Sequence, residues 1–377
     1  MKTGVERQIG VEEEFLLVDK DTSQPMAGIG PILGDAEALV GDQVQAELHQ
    51  SQIEIATPPC DTLSEVREHL DLLRRHMADA AAAHGALVVA NGTYPGEMGE
   101  AGRRLTPKPR YLWLGRESAL VAREQLICGC HVHVTVDDPD RAVAIMNLAR
   151  RWMPCIIALA ANSPYWEGQD TGFASFRTEV WARWPTAGPT GSFGSHDEYV
   201  ALLDRVVATG VILDRGMAYW DIRPSERFPT LEFRVADVMT DIEDALLVAG
   251  LLRGLVERLD DLVSTDEGAE LRPELLRAAS WRAARTGLAG VLVDPADGSA
   301  VPATAMLERL VDFVGPGLER HGDGPAVEAM LASLREKGTG AERQRLAFDR
   351  RRSMADVIAS TVVGREAGGS GNDVHTS

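Results

Sequence analysis

Apolar and polar residues alternate along three short stretches of the chain. In CGCHVHVTV, Cys130, Val132, Val134 and Val136 fall on one side and His131, His133 and Thr135 on the other. That period of two predicts a strand with one packed and one polar face. TLEFRVADV repeats the pattern, with Leu231, Phe233 and Val235 opposing Glu232 and Arg234. In GVEEEFLLVD the same parity puts Glu12 and Glu14 on one face and Glu13 with Val11 and Phe15 on the other. Strands are predicted over 8–18, 52–57, 86–91, 128–136, 217–223 and 230–238. TLSEVREHLDLLRRHMADAAAAHG instead has helical spacing, opened by a Thr62/Glu65 capping box and closed by Gly85. Further helices are predicted over 140–160, 241–263, 273–285, 304–319 and 342–362. Strands interleaved irregularly with long helices give an α+β fold with a mainly helical C-terminal third. The body, 1–366, reads as a single catalytic domain, and the Gly/Ser-rich tail, 367–377, as disordered.

Composition narrows the range of partners. The chain has 377 residues, 45% of them hydrophobic, with 57 acidic against 38 basic residues and a net charge of -19. That balance and the lack of a basic stripe argue against nucleic acid and anionic membrane surfaces. Neither a signal-like leader nor an apolar run of spanning length is evident, so the expected location is cytoplasmic. Cys60, Cys128, Cys130 and Cys155 are too scattered for a disulfide framework and are expected to be reduced and buried.

Several strand-like segments therefore carry acids, histidines or arginines on one face and apolar residues on the other. ELHQSQIEIATPP adds Glu47 and Glu54, whose spacing of seven requires a bend or bulge if both serve one site. YWDIRPS adds Asp221 and Arg223, two apart and so on a common face. Each segment alone could be a solvated strand face; together they suggest a shared polar site. Carboxylates with a histidine and no cysteine ligand suit Mg²⁺ or Mn²⁺. Arginines among them imply an anionic substrate, for which a nucleoside triphosphate such as ATP is the natural candidate. No P-loop or dinucleotide fingerprint is present.

The segments GVEEEFLLVD, ELHQSQIEIATPPC, CGCHVHVTV, FASFRTEVWARWPTAGP and WDIRPSERFPTLEFRVADV together resemble the type 2 glutamate-cysteine ligases, carboxylate-amine ligases of the glutamine synthetase superfamily. The resemblance implies a curved, mainly antiparallel sheet holding ATP and two or three Mg²⁺ or Mn²⁺ ions. It implies one metal cluster of Glu14, Glu47 and Glu54 and another of Glu12, His131 and Glu232. Arg234 resembles the arginine that contacts the transferred phosphoryl group, with Arg223 supporting phosphate or a substrate carboxylate. Arg177, Trp181 and Arg183 would line an amino-acid pocket, although a loop packing the sheet edge is the competing reading. His133 is expected to hydrogen-bond near ATP. The implied reaction joins the γ-carboxylate of L-glutamate to the amine of L-cysteine through an acyl phosphate, in a possible homo-oligomer. Another amine acceptor, a metal-dependent phosphate-ester hydrolase and a catalytically silent metal-binding protein remain as alternatives. Glu13, pointing away from the site, is expected to tolerate Glu13→Gln.

Overall fold

The computed structural model describes residues 7–263 and 271–364. The tail, 367–377, lies outside the described residues. The strands are β1 (Ile9–Asp19), β2 (Val44–Ala46), β3 (Gln52–Ala56), β4 (Ala86–Val89), β5 (Gly129–Thr135), β6 (Tyr165–Trp166), β7 (Gln169–Asp170), β8 (Ile222–Pro224), β9 (Thr230–Asp237), β10 (Val291–Val293) and β11 (Ala300–Pro302). Seven of them build one antiparallel sheet in the order β2-β3-β1-β5-β9-β8, with β4 paired to the C-terminal part of β1. β6–β7 and β10–β11 form separate two-stranded ribbons. This is the α+β architecture that irregular interleaving of strands and helices predicts.

The apolar faces of the central strands meet helices. Ile9, Val11, Phe15 and Leu17 of β1 are buried, as are Cys130, Val132 and Val134 of β5. Against them lie the Leu63–Ala83 and Ile242–Leu262 helices, which also touch each other. The first begins at the capping box expected from Thr62 and Glu65. The second is buried from Asp244 to Glu257, because the Ala303–His321 helix covers its far side. Those two helices cross where a Cβ on Gly317 would stand 2.3 Å from the carbonyl oxygen of Gly254. Only glycine permits that approach.

Three predicted boundaries are corrected. The strand expected over 217–223 is only β8, since 215–217 form a 3₁₀ turn. The Arg223 guanidinium accounts for this, donating to the carbonyls of Gly216 and Ala218 and folding the chain around itself. The helix expected over 342–362 is two helices, Gly340–Arg351 and Met354–Ser360. Arg352 between them is left-handed at φ 55°, and Ser353 caps the second helix. The stretch over 140–160 passes through a 3₁₀ turn before Pro154, in Pro139–Ala149 and Met153–Leu159. Proline lacks the amide that would continue the first helix. By length and mean hydropathy Pro139–Leu159 could cross a membrane, but charged residues interrupt it and most of it is buried inside the fold. All four cysteines are free and buried.

Candidate active site

Strand register assembles the polar residues. Glu14 stands directly opposite Glu54, which in turn faces Gln45. Glu12 faces His131, His133 faces Glu232, and Glu232 faces Arg223. Between the pairs Cys130/Ala236 and Val132/Phe233 the register shifts, so β9 sets two residues, Arg234 and Val235, against His131 alone. Such a bulge re-aims a side chain locally. Glu47 follows β2 two residues after Gln45 and therefore extends the same face. The bend that a spacing of seven demands is thus the turn between β2 and β3.

Two triads result. Glu12, His131 and Glu232 offer ligand atoms all within 4.8 Å of one another, and so do Glu14, Glu47 and Glu54. In the first triad the charge is already matched by protein groups. The His131 Nδ1 and His133 Nε2 atoms each lie 3.3 Å from the Glu12 carboxylate. Burial pushes the Glu12 carboxyl up, but these two histidines outweigh it and hold it well below the usual range. Arg223 grips Glu232 with Nε and Nη2 at 2.7 and 3.1 Å, and Arg234 contacts the same carboxylate. Together these arginines overcome burial and depress the Glu232 carboxyl strongly. Burial, then Arg234, pushes the His131 imidazole down to about 4.

The second triad has no ion-pair partner within the described residues. Burial, then the Glu47 charge, raises the Glu14 carboxyl to about 7. Burial and the three neighbouring glutamates raise Glu54 well above its ordinary value, and burial raises Glu47. Like charges directly opposite on paired strands are destabilising. A hard cation removes that repulsion, and carboxylate oxygens are its preferred donors. The Nε2 of His131 is buried without a hydrogen-bond partner, a free ligand atom in the other triad. On these grounds the residues fit one divalent cation per triad.

A cavity of about 760 Å³ covers both triads. Its walls add groups that sequence reasoning missed. Gln45 donates to Glu54 at 2.5 Å, Tyr111 donates to Glu47 at 2.7 Å, and the amide of Gly129 donates to Glu14 at 2.6 Å. Lys108, Arg110, Arg215 and Arg227 bring positive charge to the cavity, and Phe228, more than half exposed, packs edge-on to His133. Gln45 could have been found by its parity with Glu47. Tyr111 and Lys108 lie near the triads only through tertiary folding.

The three residues expected in an amino-acid pocket separate. Arg177 and Trp181, on the Phe176–Trp181 helix, line a second cavity of about 180 Å³. Arg183 lines neither cavity; it follows the helix end, pairs with Glu124 at 3.1 Å and is substantially exposed. Both Arg177 and Arg234 sit over the Trp181 ring, at 5.5 and 5.4 Å from its centroid. Arg177 can cross β5 only because residue 129 is glycine, where a Cβ would stand 2.2 Å from its Nη2. Asp221 and Arg223, expected on a common face, end in different cavities: Arg223 in the larger and Asp221 in the smaller. Asp221 precedes β8, so strand parity does not extend to it.

The same fold occurs in solved ligases. A glutamate–cysteine ligase from Francisella tularensis, crystallised with AMP, superposes with a TM-score of 0.72 at 12% identity, over 95% of this chain and 88% of that one. A bifunctional glutathione synthetase from Pasteurella multocida gives 0.70 at 17% identity, over 94% of this chain and 51% of that one. The sheet is the fold of those ligases, and with the family match and relatives that follow, the chain is an ATP-dependent carboxylate–amine ligase. Residues 8–364 match glutamate-cysteine ligase family 2, and the chain belongs to that family. A Frankia alni relative provisionally named glutamate–cysteine ligase 2-2 is 44% identical over 95% of this chain and 97% of its own. A Salinispora arenicola relative with the provisional name glutamate–cysteine ligase 2 is 43% identical over 93% and 92%.

Proposed function

We infer that this ligase joins the γ-carboxylate of L-glutamate to the amine of L-cysteine, using ATP. The observation that carries the reading is the pairing of two triads of hard ligands with Arg234 on one cavity floor. Glu14, Glu47 and Glu54 would hold one Mg²⁺ or Mn²⁺ ion, and Glu12, His131 and Glu232 another. Bound there, such ions would neutralise charge on the ATP phosphates. Arg234 orients the γ-phosphoryl group, and Arg223 keeps Glu232 in position through its bidentate contact. His133, held by the Thr230 hydroxyl at 2.9 Å, fixes the Glu12 carboxylate beside it.

The glutamate carboxylate oxygen attacks the γ-phosphorus and the bond to the β-phosphate oxygen breaks, releasing ADP. The amine nitrogen then attacks the acyl carbon, inorganic phosphate leaves and the amine proton passes to solvent. Positioning and preorganised charge supply most of the acceleration. A single catalytic unit over 1–366, a cytoplasmic location and a homo-oligomeric state complete the proposal; light scattering of the purified protein tests the last.

The direct test incubates purified protein with ATP, Mg²⁺, L-glutamate and a panel of amines, and detects amides by mass. Arg234→Ala is expected to lower turnover by about 10²–10³-fold. Wild-type rates in both Arg234→Ala and Glu232→Gln would show that the site is wrongly assigned. Substrate hydrolysis without ATP would favour the hydrolase instead.

A further inference from the structure

Five of the six triad residues stand on regular strands, where the backbone ladder fixes them: Glu12 and Glu14 on β1, Glu54 on β3, His131 on β5 and Glu232 on β9. Glu47 does not. β2 ends at Ala46, which pairs with Ile53, and the ladder stops one residue short of Glu47. A second segment, just before the Pro109–Glu117 helix, sets its place instead. The Thr106 hydroxyl donates to the Glu47 carbonyl at 2.6 Å, and the Thr106 amide to the Leu48 carbonyl at 2.8 Å. The Lys108 ammonium donates to the Ala46 carbonyl, also at 2.8 Å. Three successive carbonyls are thus tied to one short stretch. These bonds fix the backbone but leave the Glu47 side chain free to turn. Tyr111, in the first turn of the helix, removes that freedom: its hydroxyl donates to Glu47 Oε2 at 2.7 Å.

We propose that Tyr111 is a positioning residue, which holds the Glu47 carboxylate in line with Glu14 and Glu54 to receive a divalent cation. The inference rests on reading those three glutamates as a cation site. A carboxylate has about four lone-pair sites, so one hydroxyl bond orients it and leaves its capacity as a ligand. The phenol ring is itself held. It packs against the apolar cluster that contains Leu48 and Leu114, and the Lys108 ammonium lies 5.5 Å from its centroid. The hydroxyl therefore cannot swing away from Glu47 without disturbing that cluster. Tyr111 bonds to one triad only, so its influence is confined to one ion. Outer partners of this kind commonly change metal affinity about 10–100-fold.

Titration calorimetry of the full chain with Mn²⁺, after chelator treatment, tests this. Tyr111→Phe keeps the packed ring and removes the donor alone. It is expected to weaken, by about 10–100-fold, the binding step that Glu54→Gln also removes, and to leave any other step within about threefold of wild type. The Mg²⁺ concentration that half-activates amide formation should rise by a similar factor. KM for L-glutamate at saturating Mg²⁺ should stay within about twofold, because the tyrosine acts through Glu47 and not on the amino acid. A tyrosine needed only for packing would tolerate phenylalanine in both measurements. Wild-type Mn²⁺ affinity in Tyr111→Phe overturns the proposal, as does an equal weakening of two separate steps. Should wild type itself bind no Mn²⁺, the reading of the three glutamates as a cation site fails and the proposal falls with it. Binding to wild type with an unaffected variant overturns the role of Tyr111 alone.

Discussion

Glu13→Gln tests how β1 is held from behind. Sequence parity correctly turns Glu13 away from the triads, but its environment is far from permissive. The side chain is fully buried and meets Arg74 of the Leu63–Ala83 helix, Nε to Oε2 at 2.8 Å and Nη2 to Oε1 at 2.5 Å. Arg74 also donates to the carbonyls of Met239 and Thr240, each at 2.8 Å, and lies over the Phe15 ring. The expectation that Glu13→Gln is tolerated is therefore corrected. Glutamine has nearly the same shape but leaves the guanidinium charge without its counterion and turns a donor toward donors. Breaking a buried pair in this way costs about 3–5 kcal/mol. With an unfolding entropy of about 2.1 cal/mol/K per residue, a chain of this length should lose roughly 4–6 °C in Tm. Calorimetric melts of wild type and Glu13→Gln check this. A double replacement, Glu13→Met with Arg74→Met, should melt above Glu13→Gln, although the Met239 and Thr240 carbonyls then lose their donor. A melt of Glu13→Gln within about 1 °C of wild type would refute the reasoning.

Two further outcomes follow from the charge pattern. Glu257 accepts from Arg7 at 2.7 Å and Arg320 at 2.8 Å, with His321 at 3.5 Å; burial raises its carboxyl, but these partners bring it down to about 2. Because the folded value lies below the ordinary 4.5, this stabilisation is present above about pH 4.5 and is lost as pH falls toward about 2. Glu257→Gln should flatten that acid limb in urea melts taken across the range, and an unchanged limb would exclude the residue as its source. In the second triad, Glu54→Gln relieves the repulsion with Glu14 opposite. In chelator-treated protein it should melt no lower than wild type, while the stabilisation by added Mn²⁺ falls by more than half; a full Mn²⁺ response in the variant would count against Glu54 as a ligand.

What the sequence makes legible is whatever a period of two encodes. The facing of Glu12, Glu14, His131, His133, Glu232 and Arg234 follows from alternation, and the helices at 63 and 242 follow from caps and spacing. Pairings between distant segments are not encoded in that way. Arg74 lies 61 positions from Glu13 and Tyr111 lies 64 from Glu47. Asp221 and Arg223 show a different limit, for parity holds only while the chain stays extended, and β8 begins after Asp221. Arg183 fails for a related reason, since the helix that presents Arg177 and Trp181 ends at Trp181.

The triads are stitched from partners on neighbouring strands, so they exist only in one alignment of the sheet. Sliding β3 by a single residue along β1 would point Ile53 and Ile55 into the cavity and Glu54 into the core, with secondary structure content almost unchanged. Circular dichroism would not distinguish such a chain from the native one, whereas a metal-dependent shift in melting temperature would. Recovery of that shift after refolding therefore measures correct strand alignment, separately from recovery of helix and sheet.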